Sequence, residues 1–371
     1  MAHGTAEARR KVISSNSQFV IINFDGVAVV KEEILAGGFD MIVVDEANAY
    51  KNPQTNRWKI LRDLAAATEW IWMLTGTPAA QSPVDAFGLA RIINPNAVPK
   101  YFGQFRDKVM YKVSQFVWKP KPDSEKLVHE VLQPAIRFEK SECLDLPPVT
   151  HVHRDAPLTP QQEKYYKLLK DKMIMEADGE QVTAVNAATQ INKLLQVAGG
   201  AVYTDEREVI EFDVSNRLNV VLEVIEESSH KVLVFVPFTH TIDLLEEFLT
   251  KHKVPCEVIA GRVSVNNRSI IIDKFQKETN PQVLIIQPQA ASHGLTLTAA
   301  NTIIWYSAVT SVETYLQANA RIDRPGQVNP MTVVHIKGSP VEERLYSMLQ
   351  SNIDNHNKII DLYREEFTDT T

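Results

Sequence analysis

The run Met41-Ile-Val-Val-Asp45-Glu46-Ala-Asn48 closes four apolar residues with two adjacent carboxylates. An apolar strand that stops in two acids sets both at the carboxyl edge of a sheet, where open α/β sheets take their ligands. There a hard Mg2+ requires a carboxylate, and a second one can orient an attacking water. The same residues also suit a strand followed by a helix whose first turn is acidic. A second run, Trp70-Ile-Trp-Met-Leu74, leads into Thr75-Gly76-Thr77-Pro78. That hydroxyl-rich turn would present backbone and hydroxyl groups at the same edge, or else form a tight turn with a helix cap. Towards the other end lie Gln289-Ala-Ala-Ser292-His293-Gly294-Leu295-Thr296-Leu297-Thr298 and Tyr315-Leu-Gln317-Ala-Asn-Ala-Arg321-Ile-Asp323-Arg324-Pro-Gly326-Gln327. Arg321 and Arg324, three apart, would share one face of a helix and point at one anion. A planar guanidinium suits charge developing on a transferring phosphoryl group, an effect on the order of 10³–10⁵ in rate.

These residues need elements to hold them. Short apolar runs at Phe19–Asn23, Met41–Val44, Trp70–Leu74, Val232–Val236, Cys256–Ile259, Val283–Gln287, Thr302–Tyr306 and Thr332–Lys337 read as strands. They are continuous rather than alternating, the pattern of strands covered on both faces of a parallel sheet. Amphipathic stretches at Arg57–Thr68, Pro160–Glu176, Thr239–His252, Asn267–Lys277 and Glu313–Ile322 read as the helices between them. Strand–helix alternation in two blocks predicts two α/β domains, over 1–150 and 151–371. Between about Asp85 and Arg137 the chain turns aromatic, basic and irregular.

The 371 residues are 44% hydrophobic and 23% charged, which excludes a disordered or collagen-like chain. No apolar run approaches the roughly 20 residues that span a bilayer, so no membrane partner is expected. The first eleven residues lack a secretory core, and two cysteines cannot build a disulfide framework, so a reducing cytoplasmic setting is expected. Thirty-nine basic against 46 acidic side chains leave a net charge of −7. Within Lys100–Lys121, however, Lys100, Arg106, Lys108, Lys112, Lys119 and Lys121 face one acid, Asp107, and are interleaved with Tyr101, Phe102, Phe105, Tyr111, Phe116 and Trp118. Lysines alone suit a duplex backbone, and aromatics among them suit single strands. A satellite core beneath solvated lysines would have the same composition. His151-x-His153 would place two imidazoles on one strand face with no third ligand near in sequence, and Trp70 and Trp72 read as core.

Taken together, these motifs make the chain resemble a SWI/SNF-type superfamily-two helicase of the short branch found in phages and bacteria. Asp45-Glu46-Ala-Asn48 resembles the second helicase motif and Leu74 to Pro78 the third. Val234–Phe238, Ala290–Ala300 and Gln317–Gln327 resemble the fourth, fifth and sixth. Arg137 to Pro147 resembles the Arg-x-x-Lys…Leu-Pro connector. The resemblance implies two RecA-like lobes with mainly parallel sheets, flanking helices, ATP and Mg2+ as cofactors, and DNA, duplex before single-stranded, as partner. It implies that Asp45 holds Mg2+ and Glu46 activates water. Thr75 and Thr77 would couple nucleotide state to DNA, with Arg321 and Arg324 as arginine fingers and Gly294 and Gln317 at the lobe interface. The basic stretch assigns DNA contact to Lys108, Lys112 and Lys119. The sequence departs from the family at Asn48, where many relatives carry His, at Asp323, which replaces a His, and at His293 and Thr296.

No Gly-x-x-x-x-Gly-Lys-Ser/Thr occurs, nor any Gly-Lys pair. The family's phosphate loop needs that lysine, and His3 to Arg10 resembles the segment immediately downstream of the loop. The expectation is therefore a first lobe incomplete at its N-terminus. A truncated product, an excised fragment or a split motor completed by a second chain would each fit, in a bacterial or phage-infected cell. Two functions stay open, an ATP-dependent DNA translocase or helicase with a crippled ATP site, and a non-catalytic DNA- or partner-binding module.

Overall fold

The computed structural model describes residues 1–350 except positions 16, 77, 80–81, 115–117, 139, 178–183, 204–207 and 292–293. It has α/β architecture and groups into two units, 1–137 and 138–350.

In the first unit, β1 (Met41–Val44) and β2 (Trp70–Met73) pair in parallel, Met41 opposite Trp70 and Val44 opposite Met73. The helix Asn56–Ala66 makes the crossover that a parallel pair requires, started by the Thr55 hydroxyl accepting from the Trp58 N–H. Ile42, Val44, Ile71 and Met73 pack on a core of Trp58, Leu61, Phe87, Leu89 and Phe105. Among the described residues the other face is uncovered, which overturns the reading of Trp70 and Trp72 as core. Trp70 and Trp72 are 56% and 57% exposed, beside exposed Met41 and Val43. Side chains alternate across a strand, so one face can be covered while the next is open. Phe19–Asn23 is not a strand either. Among the described residues only Ile22 pairs, in an isolated bridge with Ala2, and the chain enters a helix at Phe24. A strand needs a ladder of backbone bonds to at least one neighbour, and among the described residues this run makes a single bridge. A short hairpin, β3 (Met110–Lys112) with β4 (Trp118–Pro120), completes the unit's strands among the described residues.

The second unit contributes β5 (Val149–Asp155), the small hairpin β6 (Ala201–Tyr203) and β7 (Val209–Glu211), then β8 (Lys231–Phe235), β9 (Cys256–Ile259), β10 (Val283–Ile286), β11 (Ala300–Trp305) and β12 (Met331–Lys337). Six of these form an all-parallel sheet in the order β5-β12-β11-β8-β10-β9. Val283 to Ile286 are wholly buried, as expected of an uninterrupted apolar run on a strand paired on both sides, with β8 and β9, in a covered sheet. The helices Ser215–Glu227 and Thr239–Lys251 bury Val221, Ile225, Ile242, Leu245 and Leu249 against Val232, Val234 and Ile304. The two units divide at 137/138, and β5 pairs along its whole length with β12 and belongs to this sheet. No helix among the described residues is long and apolar enough to cross a membrane.

Candidate functional site

Asp45 and Glu46 emerge at the carboxyl end of β1, both exposed, while Ala47 and Asn48 behind them are buried. The Leu74 N–H donates to the Val44 carbonyl and the Ala47 N–H donates to the Leu74 carbonyl, each at 2.8 Å. This locks the acid pair beside Leu74 and Thr75 at the same sheet edge. Thr77 lies outside the described residues. The Asp45 carboxylate accepts the Glu46 N–H at 3.0 Å, and Glu46 itself has φ 49° and ψ 53°. A left-handed non-glycine residue costs roughly 1–3 kcal/mol and persists where its surroundings over-determine it, often at functional sites.

Those surroundings are visible. Residues Ala47–Tyr50 form a single 3-10 turn, and the helix Ala86–Ile93 presses on it through Gly88. A methyl group at Gly88 would sit 2.2 Å from the Lys51 carbonyl oxygen and 2.7 Å from that of Tyr50. The Trp58 indole N–H donates to the Gly88 carbonyl at 2.8 Å, and Lys51 pairs with Asp85 at 3.6 Å. Sequence reading passed over Gly88, although a glycine inside the apolar helix Ala-Phe-Gly-Leu-Ala is itself a signal of close backbone approach. Two exposed carboxylates at this edge are hard oxygen donors of the kind Mg2+ takes, with phosphate oxygens and water completing its shell. They fit that ion.

In the second unit the expected helix Glu313–Ile322 is shorter. It runs Val312–Asn319, and Arg321 and Arg324 stand in the turns after it rather than on one helix face. The N–H of Arg321 donates to the Ala318 carbonyl at 3.1 Å and that of Arg324 to Ile322 at 3.1 Å, three- and two-residue spacings too tight for an α-helix. Both side chains nevertheless reach one loop. Arg321, 2% exposed, donates to the Leu295 carbonyl at 3.4 Å. Arg324 donates through Nε to Ala320 at 3.0 Å, and through Nη1 to the Gly294 carbonyl at 3.5 Å and the Thr296 hydroxyl at 3.4 Å. Gln327, buried beside them, donates to the Ala300 carbonyl at 2.8 Å and accepts the N–H groups of Val328 and Asn329. Gly294 at φ 56° and Gly326 at φ 98° take the left-handed turns these two loops need. Gln317 lies on the helix before them, bonded to Glu313 at 3.4 Å.

Sequence reading placed a lone carboxylate, Asp323, between the arginines. The structure gives it a partner, Lys140, whose ammonium lies 2.5 Å from the carboxylate and also donates to the main-chain carbonyl of Asp323. The two residues are 183 positions apart, so no local pattern could pair them.

The basic stretch divides. Phe105 is core at 1% exposure, and Arg106 lies 3.9 Å over the Trp118 ring. Lys108, Lys112 and Lys119 are exposed. In the hairpin, Lys112 stands opposite Trp118 and Lys119 opposite Tyr111, so the two lysines project to opposite faces. Phe116 lies outside the described residues.

Two side-chain clusters with buried members lie in the second unit. Arg217 and Glu342, 2% and 0% exposed, form a two-pronged ion pair at 2.8 Å on each arm. Arg217 also donates to the Tyr306 carbonyl, and Glu342 accepts the Gly338 N–H at 3.0 Å and the Ser339 hydroxyl at 2.9 Å. His335 receives the Tyr315 hydroxyl on Nε2 at 2.8 Å and stacks between His151 and His153, with ring centroids 5.7 and 5.1 Å away. Burial, then the charges of those two histidines, pushes its pKa down to about 3. Among the described residues no group of three His, Cys, Asp or Glu is placed to hold a metal.

Against known proteins, residues 2–198 match the family model described as SNF2-related domain, and residues 216–326 match that of the helicase conserved C-terminal domain. An uncharacterized ATP-dependent helicase of Mycoplasma genitalium is 27% identical over 359 residues, 93% of this chain and 33% of that protein. The CHD3-type chromatin-remodeling factor PICKLE of Arabidopsis thaliana is 25% identical, covering 92% of this chain and 26% of its own. The chromodomain-helicase-DNA-binding protein 1-like of Mus musculus is 27% identical over 87% of this chain and 36% of its own. The chain thus spans about a third or less of these relatives. A solved Sulfolobus solfataricus SWI2/SNF2 ATPase core in complex with dsDNA aligns over 89% of this chain and 70% of its own, at 22% identity and a TM-score of 0.47.

Proposed function

Because the chain belongs to the SNF2-related family, we propose that it is part of an ATP-dependent motor that moves along duplex DNA. The observation that carries the reading is the carboxyl edge of β1, where Glu46 is held exposed in a left-handed conformation next to Asp45, with Thr75 on the neighbouring strand. Asp45 holds Mg2+, and Glu46 orients the attacking water. Arg324 stabilises the transferring phosphoryl group, while Arg321, buried against Leu295, fixes the loop that presents it. Gly294 and Gln317 shape the same surface, and Thr75 and Thr77 relay nucleotide state towards DNA. When bound, Mg2+ supplies charge neutralisation on the phosphate oxygens. Lys108, Lys112 and Lys119 contact phosphates of the duplex, and their opposed faces mean that Lys112 and Lys119 do not serve one strand together. The 371 residues contain no phosphate-loop lysine. We therefore propose that a polypeptide of these residues alone turns over ATP poorly and is completed by a segment or chain that carries one.

A titration with a fluorescent ATP analogue, with and without Mg2+ and duplex DNA, tests the motor reading. Expected are Mg2+-dependent binding weakened by Asp45→Asn and DNA affinity that changes with nucleotide. DNA binding with no nucleotide binding under any condition would instead establish a non-catalytic module. Robust DNA-stimulated turnover by this chain alone, abolished by Glu46→Gln, would refute the dependence on a supplied phosphate loop.

A further inference from the structure

Asp323 puts a negative charge between two arginines whose positive charge the proposed motor needs. A carboxylate next to a guanidinium pairs with it readily, and this chain does so elsewhere. Arg106 bonds to adjacent Asp107 at 3.1 Å, and Arg62 to adjacent Asp63 at 2.7 Å. At Asp323 the outcome is different. Its carboxylate lies on Lys140 at 2.5 Å, and the same ammonium takes its main-chain carbonyl, so two oxygens of one residue converge on one cation. Arg324 spends its bonds on Ala320, Gly294 and Thr296.

We propose that Lys140 is a positioning residue. By holding the carboxylate and carbonyl of Asp323, it keeps that charge off Arg324 and leaves the guanidinium directed along the Gly294–Thr296 loop. The assignment of Arg324 to phosphate rests on the motor reading, whereas the competition between Lys140 and Arg324 for Asp323 does not. Side-chain exposures of 42% for Lys140 and 30% for Asp323 rule out much contribution to stability. Pairs this exposed are worth about 0–1 kcal/mol, so the value of the contact lies in where it sends the carboxylate. Lys140 sits on the short helix Lys140–Cys143 just before β5, so the contact ties the start of the second unit to the arginine loop.

Three variants separate positioning from a merely structural contact: Lys140→Ala, Asp323→Asn, and both together. One readout is the 15N resonance of the Arg324 Nε–H group in the whole chain without nucleotide. The other is affinity for the Mg2+-bound ATP analogue. Lys140→Ala should shift the Arg324 signal as Asp323 swings onto it, and weaken nucleotide binding several-fold. The double variant should return both towards wild type, because the stray carboxylate is gone. Asp323→Asn alone should leave both near wild type. A structural contact predicts otherwise, with all three variants equally impaired, and that result overturns the proposal. So does an Arg324 signal unmoved by Lys140→Ala. If the signal shifts and is restored while wild type binds no nucleotide, the positioning pair stands and the motor reading falls.

Discussion

Breaking the Arg217–Glu342 pair by one partner should unfold the second unit far more easily than removing both. The pair joins the helix Ser215–Glu227, the end of β11 through Tyr306, and the helix over 340–350. Burial pulls the Arg217 pKa down, but the Glu342 charge and its hydrogen bonds outweigh it and hold the group above its ordinary value. Glu342→Leu strands a guanidinium at 2% exposure, and Arg217→Met strands a carboxylate at 0%. Each single change should cost about 3–5 kcal/mol. The double variant removes both charges, so the desolvation penalty disappears. It still leaves the Tyr306 carbonyl, the Gly338 N–H and the Ser339 hydroxyl without their partners, at about 1 kcal/mol each. The double variant should therefore lose roughly 2–4 kcal/mol, against a sum of singles of about 6–10 kcal/mol. Urea unfolding monitored by tryptophan fluorescence at Trp305, buried in β11, reads the four proteins. Strict additivity would show that the two charges are not coupled and would refute the reasoning.

Acidification should weaken the second unit through His335. The unfolded residue takes a proton near its ordinary 6.5, whereas the buried residue resists until about 3. Its contribution is therefore complete above 6.5 and is lost as pH falls through that window, by about 1.4 kcal/mol per pH unit. Between pH 6.5 and about pH 5 the wild type should lose roughly 2 kcal/mol more than His335→Gln, measured by urea midpoints; parallel pH profiles would contradict the buried neutral ring. In the first unit, Gly88→Ala drives a methyl to 2.2 Å from the Lys51 carbonyl oxygen. The overpacking of about 1–3 kcal/mol should exceed the ~1 kcal/mol that alanine adds to a helix. Gly103→Ala, which meets nothing within 4 Å on the helix Phe102–Val109, should be neutral or stabilising in the same melt; equal effects at both sites would remove Gly88 from the account.

Residue order pointed to the second unit's parallel strands, because uninterrupted apolar runs such as Val283–Ile286 and Ile303–Trp305 match the pattern of a sheet covered on both faces. It also located Asp45 and Glu46 at a strand's carboxyl end, since a strand end is a local signal. But it put Arg321 and Arg324 on a helix face, and only the folded chain shows the helix stopping at Asn319 with both arginines in the turns beyond. The same local signal misled at Trp70 and Trp72. Their apolar run matches a doubly covered strand, but whether anything packs on the outer face depends on what else lies there. Tertiary structure alone decided that Gly88 presses on the turn behind Glu46. It decided that Lys140 takes Asp323, and that Arg217 finds Glu342 across 125 positions. Hydrophobic period repeats every two or 3.6 residues and can be read in one window. A charge pair or a close backbone approach between distant segments has no period, and exists only once the chain has folded around it.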